Sequence, residues 1–285
     1  MNKLLNFFLF SNLYVLLVIA ALIGCTQLTV IGGIQVNETV WFILFSTLAL
    51  YPAHRLYGVI RSKSSQLVER VYFMNEYKTV LAIIVLIGLV GTGYYFLELS
   101  WEQQKKVLIP SFVGLAYSFP VIPINGKFIR LRDLPYIKVF AISAVVSYLT
   151  TVFLPVTEML SSSASWGLFL KRFFFLLAIT LPFDIRDLRV DKREGLRTIP
   201  NQMGIKVSKW ISGIALLSYV LLALLFVALT DSEIILFVAQ FITAAWVLFF
   251  LVRTKPNRSE YFYSFGFEGA AIVEVILLLI LVNLI

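Results

Sequence analysis

Charge is what this chain has least of. Only 14% of its 285 residues are Asp, Glu, Lys or Arg, against 60% hydrophobic, and the mean hydropathy is +0.90. A soluble fold of this length needs far more polar surface, so that class is excluded. The lone cysteine, Cys25, rules out a disulfide within the chain and a cysteine-based metal centre. The lone histidine, His54, rules out a two-histidine metal motif, and no P-loop or haem-attachment string is present. Aspartate is absent before Asp133. The remaining ones are Asp184, Asp187, Asp191 and Asp231, so aspartate chemistry belongs to the second half of the chain.

Long apolar runs fill the space that charge leaves. They fall at about Leu13–Ile31, Val40–Ala53, Thr79–Phe96, Val107–Phe119, Tyr136–Leu154, Leu168–Phe183, Trp210–Ala228, Ile234–Val252 and Phe267–Leu284. Each is expected to be helical, because a backbone facing lipid must satisfy its own hydrogen bonds. The second and fourth are short for a core of roughly 30 Å and should extend into their flanks. The expectation is an all-α, polytopic nine-span bundle with negligible strand, forming one transmembrane domain over residues 1–285. Leu22-Ile-Gly-Cys25 looks like a lipoprotein cleavage box. The run from Leu4 to Ile23 is longer than a signal core, however, and eight further runs follow, so it reads as the first transmembrane helix.

Basic residues sort by loop. Lys3, Arg55, Arg61, Lys63, Arg70, Lys78, Lys127, Arg130, Arg132 and Lys138 fall on one side, with seven more from Arg186 to Lys209 and then Arg253, Lys255 and Arg258. That places 20 of the 24 Lys and Arg on one face, and only Lys105, Lys106, Lys171 and Arg172 on the other. The positive-inside rule makes the crowded face, and the amino terminus, cytoplasmic. Topology and anionic headgroups therefore account for the net charge of +8 without nucleic acid. A bacterial inner membrane is the expected location.

Asp184, Asp187 and Asp191 appear just as the sixth apolar run ends. If that helix continues, steps of three and seven residues keep them within roughly 60° of one another. Carboxylates stacked in this way repel unless a cation sits among them, and Mg²⁺ takes oxygen ligands while bridging to phosphates. The plainer reading is a solvated face, paired with Arg186, Arg189, Lys192, Arg193 and Arg197. Gly195 can close the helix, and Thr198 before Ile199-Pro200 favours a turn leading to the next span. Glu268 and Glu274 are carboxylates inside the last span, about 9 Å apart along a helix, and are functional or internally paired.

The pattern Asp184-x-x-Asp187-x-x-x-Asp191-x-x-x-Gly195-x-x-Thr198-x-Pro200-x-x-x-Gly204 resembles the second aspartate-rich motif of the UbiA family of intramembrane prenyltransferases. Tyr117-Ser-Phe-Pro120, and Tyr261 through Gly269 entering the last span, are similar to that family too. The resemblance implies a helical bundle around an apolar chamber, with two aspartate-rich motifs holding Mg²⁺ against a prenyl diphosphate. It makes Asp184, Asp187 and Asp191 the expected catalytic and metal-binding residues. The chain departs from the family at the end of the second span, where Ala49-Leu-Tyr-Pro-Ala-His-Arg-Leu-Tyr-Gly58 carries no carboxylate. A protonated His54 with Arg55 could meet the diphosphate there in place of one metal ion. Lys127, Arg130, Lys138 and Arg186 complete the expected diphosphate contacts, or are ordinary loop charge. The implied partners are an isoprenyl diphosphate, a lipophilic acceptor and membrane lipids. The alternative is a member of the fold without catalysis that binds isoprenoid or lipid; two off-phase glutamates lend thin support to a transporter.

Overall fold

The computed structural model describes residues 3–61, 73, 76–124, 126–230 and 234–282. Lys63, Arg70 and Asp231 lie outside them. A short helix α1 (Lys3–Phe10) ends at Asn12, whose left-handed backbone (φ 71°) turns the chain into α2 (Leu13–Ile31). There follow α3 (Glu38–Arg61), α4 (Lys78–Glu98), α5 (Trp101–Ser118), α6 (Ile137–Leu149), α7 (Ser162–Arg193), α8 (Ile199–Thr230), α9 (Ile234–Arg253) and α10 (Glu260–Val282). A helix thus stands at each of the nine apolar runs. Five of them, α2, α4, α8, α9 and α10, are long and apolar enough by length and composition to cross a membrane. Strand among the described residues is one hairpin, Ile122–Ile124 (β1) against Lys127–Ile129 (β2).

The helices outrun the apolar runs where polar residues continue the helical turn. Helix α3 carries on past Pro52 to Arg61, and α7 past Pro182 to Arg193, so both present their polar ends as helix rather than loop. At 32 residues, α7 is roughly 48 Å long, well beyond an apolar core of about 30 Å. Helix α8 begins at Ile199 and breaks at Gly204 (φ 86°), a left-sided conformation that glycine adopts freely. In α10 the stretch Ser264–Glu268 is a π-helical turn, where the Trp246 indole of α9 donates to the Gly266 carbonyl (3.0 Å).

Small residues set the closest approaches. A Cβ on Gly88 of α4 would lie 2.5 Å from the backbone nitrogen of Ala49, so α3 and α4 touch backbone to backbone. Helices α7 and α8 pack along their length, and the Ser212 hydroxyl donates to the Ala178 carbonyl between them (2.6 Å). Helix α2 packs on α10, which packs on α9. Cys25 is buried inside α2, against the Ala271 carbonyl of α10. Lys171 and Arg172, expected in a loop on the face with few basic residues, are buried within α7 instead, at 4% and 5% exposure. Leu86, Val90, Ile109 and Phe112 on α4 and α5 stay exposed, as side chains facing lipid do.

Candidate functional site

Helix α7 ends in a Schellman motif. Gly195 takes the left-handed conformation (φ 71°), its N–H bonds the Lys192 carbonyl (3.3 Å), and the Leu196 N–H reaches back to Asp191 (2.9 Å). Asp191 is thereby fixed in the last helical turn. It and Asp184, two turns earlier, are both only 2% exposed. Their partner is Lys138 at the start of α6, whose ammonium lies 2.6 Å from Asp184 Oδ1 and 3.4 Å from Asp191 Oδ2. Tyr136, left-handed at φ 63°, begins α6 and donates its N–H to the Arg197 carbonyl (3.0 Å), so the two loops are joined here. Burial, helped by the neighbouring Asp184 and Asp187 charges and opposed by Lys138, pushes the Asp191 carboxyl up to about 6.

A second wall comes from the hairpin loop and the end of α3. Arg130 grips Asp133 through its guanidinium (2.7–3.2 Å) and its backbone N–H (3.1 Å), closing a 3₁₀ turn over Leu131–Asp133. Burial raises the Asp133 carboxyl, but the Arg130 bonds and charge outweigh it and hold the group below its usual value. With its flanking charges tied together, Arg132 projects toward α3. Its Nη1 donates to His54 Nε2 (2.5 Å), and its guanidinium lies 5.7 Å from the Tyr117 ring centroid. Burial, with the charges of Arg132, Arg130 and Arg55, drives the His54 imidazole down to about 3. His54 is therefore neutral, and the positive charge at this point belongs to Arg132.

Asp187 faces a third group. Arg186 forms a forked pair with it (2.8 and 3.1 Å) and also bonds Glu260 of α10 (2.7 Å). The same guanidinium lies over the rings of Phe183 (4.7 Å) and Tyr263 (5.7 Å), next to Phe267. Asp187 remains within electrostatic reach of Lys138 and Asp191. Among the described residues no three acidic, histidine or cysteine side chains converge as a ready metal cage. Mg²⁺ does not need one, since it commonly takes one or two carboxylates and completes its octahedron with water and phosphate oxygens. Asp184 and Asp191 already converge on one cation, the Lys138 ammonium, so the donor set fits.

The profile of the UbiA prenyltransferase family matches residues 75–267, more than half of the chain. The chain belongs to the UbiA prenyltransferase family. Its apolar helices and this membership make it an integral, multi-pass membrane protein. Among solved structures, a UbiA homolog from Archaeoglobus fulgidus bound to DMAPP and Mg²⁺ superposes with a TM-score of 0.68 at 13% identity, over 98% of this chain and 100% of that one. The apo UbiA homolog from Aeropyrum pernix K1 gives 0.67 at 13%, over 94% and 98%. A digeranylgeranylglyceryl phosphate synthase structure gives 0.57 at 16%, over 99% and 98%. At these identities the likeness is one of fold. Curated proteins give no match.

Within this UbiA-type bundle the expected residues divide. Asp184, Asp191 and Lys138 meet directly, and His54 joins the same region through Arg132. Asp187 and Arg186 pair beside them. Arg55 lies over the Tyr51 ring (5.0 Å) and acts on both His54 and Glu268. Arg130 is committed to Asp133, and Lys127 is exposed on β2, with no bond or ion pair to the carboxylates. Sequence reasoning passed over Arg132 as loop charge and gave Tyr117 and Glu260 no role. For Arg132 a signal existed, because Arg130 and Asp133 three residues apart can pair and leave the arginine between them free.

Proposed function

We propose that this UbiA-family protein is an intramembrane prenyltransferase. It binds an isoprenyl diphosphate where α3, α6 and α7 meet and passes the prenyl group to a lipophilic acceptor. The observation that carries this reading is the convergence of buried Asp184 and Asp191 on a single cation position, opposite Arg132. The A. fulgidus homologs bound to GPP or DMAPP with Mg²⁺ support the choice of donor. Asp184 and Asp191, with Asp187 alongside, would hold the Mg²⁺. Bound there, it would neutralise charge on the departing diphosphate.

The chain's own groups do the rest. Lys138, displaced from between the two aspartates, becomes free to donate to diphosphate oxygens. Arg186, paired on one side with Asp187 and Glu260, holds Asp187 in place. Phe183, Tyr263 and Phe267 offer aromatic faces and exclude water while positive charge develops on the allylic carbon. The carbon–oxygen bond to diphosphate breaks, the acceptor's electron pair bonds that carbon, and the acceptor loses a proton. The basic face, with the amino terminus, is the cytoplasmic one, and the membrane is a bacterial inner membrane.

Incubating the purified protein with labelled geranyl diphosphate tests this reading. Binding should require Mg²⁺, vanish in EDTA and fall sharply in Asp184→Asn, and a lipophilic acceptor should become labelled. A second reading, a non-catalytic isoprenoid- or lipid-binding member, is motivated by the absence of a carboxylate from Ala49 to Gly58. Apolar ligand binding indifferent to EDTA and to Asp184→Asn, with no transfer to any acceptor, would select it.

A further inference from the structure

Arg132 is in an unusual position for an arginine at the edge of an apolar bundle. Its Nε is sealed from water with no hydrogen-bond partner, and no carboxylate lies within ion-pair distance among the described residues. Asp133, the acid beside it in sequence, is taken by Arg130, while Asp191 and Glu194 act on it only from farther off. Its one bonded partner is a neutral imidazole. An enclosed guanidinium without an anion is costly, because desolvation is not offset by a counter-charge. His54 contributes direction rather than charge: by accepting from Nη1 it leaves the rest of the planar fork open.

We propose that Arg132 is a fixed-cation subsite for one phosphate of the diphosphate, aimed by His54, and that the protein uses a single Mg²⁺ per diphosphate. This rests on the prenyl diphosphate reading above. Geometry favours it because the carboxylates converge at only one cation position, on Lys138, and the facing wall offers guanidinium where a second ion would need acids. A guanidinium matches two phosphate oxygens at once, which an ammonium cannot do. His54 is thus a positioning residue.

Isothermal titration of the full-length protein in detergent, with inorganic pyrophosphate and Mg²⁺, tests the proposal. Wild type should bind one Mg²⁺ per pyrophosphate. Arg132→Gln should weaken pyrophosphate binding about 10- to 100-fold. Arg132→Lys, which keeps the charge and guards against a folding failure, should still lose about tenfold. His54→Gln, which retains an acceptor, should stay close to wild type, whereas His54→Leu should weaken binding. Mn²⁺ binding without pyrophosphate, followed by electron paramagnetic resonance, should be unchanged in all four, which a general structural defect would not allow. Wild-type pyrophosphate affinity in both Arg132 variants, alongside loss in Asp184→Asn, would remove Arg132 and leave the diphosphate reading standing. Two Mg²⁺ per pyrophosphate would also overturn the proposal. No pyrophosphate binding by wild type would remove both.

Discussion

Lys138 carries the charge balance of the site, with one ammonium between two carboxylates that are almost wholly enclosed. Replacing it with methionine leaves both acids unpaired. Metal-free Lys138→Met should lose roughly 3–5 kcal/mol of stability, read as a lower thermal midpoint. The same variant should bind Mg²⁺ alone more tightly, because no ammonium competes, yet bind Mg²⁺-pyrophosphate more weakly. Asp191 adds a pH dependence. With its carboxyl at about 6 against an ordinary 3.8, it is protonated in mild acid. Mg²⁺ must displace that proton, so its affinity should be flat above about pH 7 and fall by up to about tenfold per unit below 6. Stability runs the other way: a value raised in the fold means this group makes the metal-free protein more stable as pH falls from 6 toward 4. Titrating Mn²⁺ binding and thermal midpoint against pH separates the two.

Elements bring these residues within reach. Helix α3 delivers His54 five residues after Ala49, and Ala49 is where the Gly88 backbone of α4 presses against it. Gly88→Ala would force the two helices apart, since its Cβ would meet Ala49 N at 2.5 Å and Cα at 2.8 Å. It should lower the thermal midpoint by several degrees and weaken pyrophosphate binding, because His54 moves with α3. Gly93→Ala, with nothing within 4 Å of the added carbon, is the control and should change neither. The helical run through Asp184 to Asp191 was legible from spacing, and so was its closure at Gly195, because both depend on neighbours in sequence. The partner of those aspartates was not legible. Lys138 sits 46 residues before Asp184 and was one of twenty bases assigned to the same face.

At the scale of the whole molecule, the bundle carries a second set of buried charges, far from the carboxylate end. Arg172 lies twelve residues before Asp184, about 18 Å along α7. It donates to the Leu22 carbonyl (3.2 Å) and the Thr26 hydroxyl (3.3 Å) of α2. Lys171 lies over the Phe226 ring of α8, and Glu274 of α10 acts on it electrostatically. Arg172→Met should therefore destabilise the fold by about 3–5 kcal/mol, through loss of the α2–α7 link and exposure of Glu274 to unbalanced burial. Pyrophosphate affinity of the folded fraction should be unchanged, and a drop there would contradict the separation of the two regions. Sequence by itself determined the membrane class, the helical runs, the acidic end of α7 and the missing carboxylates after Ala49, since hydropathy and helical period act over a few turns. Tertiary structure decided which cation each aspartate meets, that His54 is neutral, that Arg132 supplies the charge beside it, and that Lys171 and Arg172 face the interior. Each of those depends on distance through space between separate helices, and on how far water is excluded there.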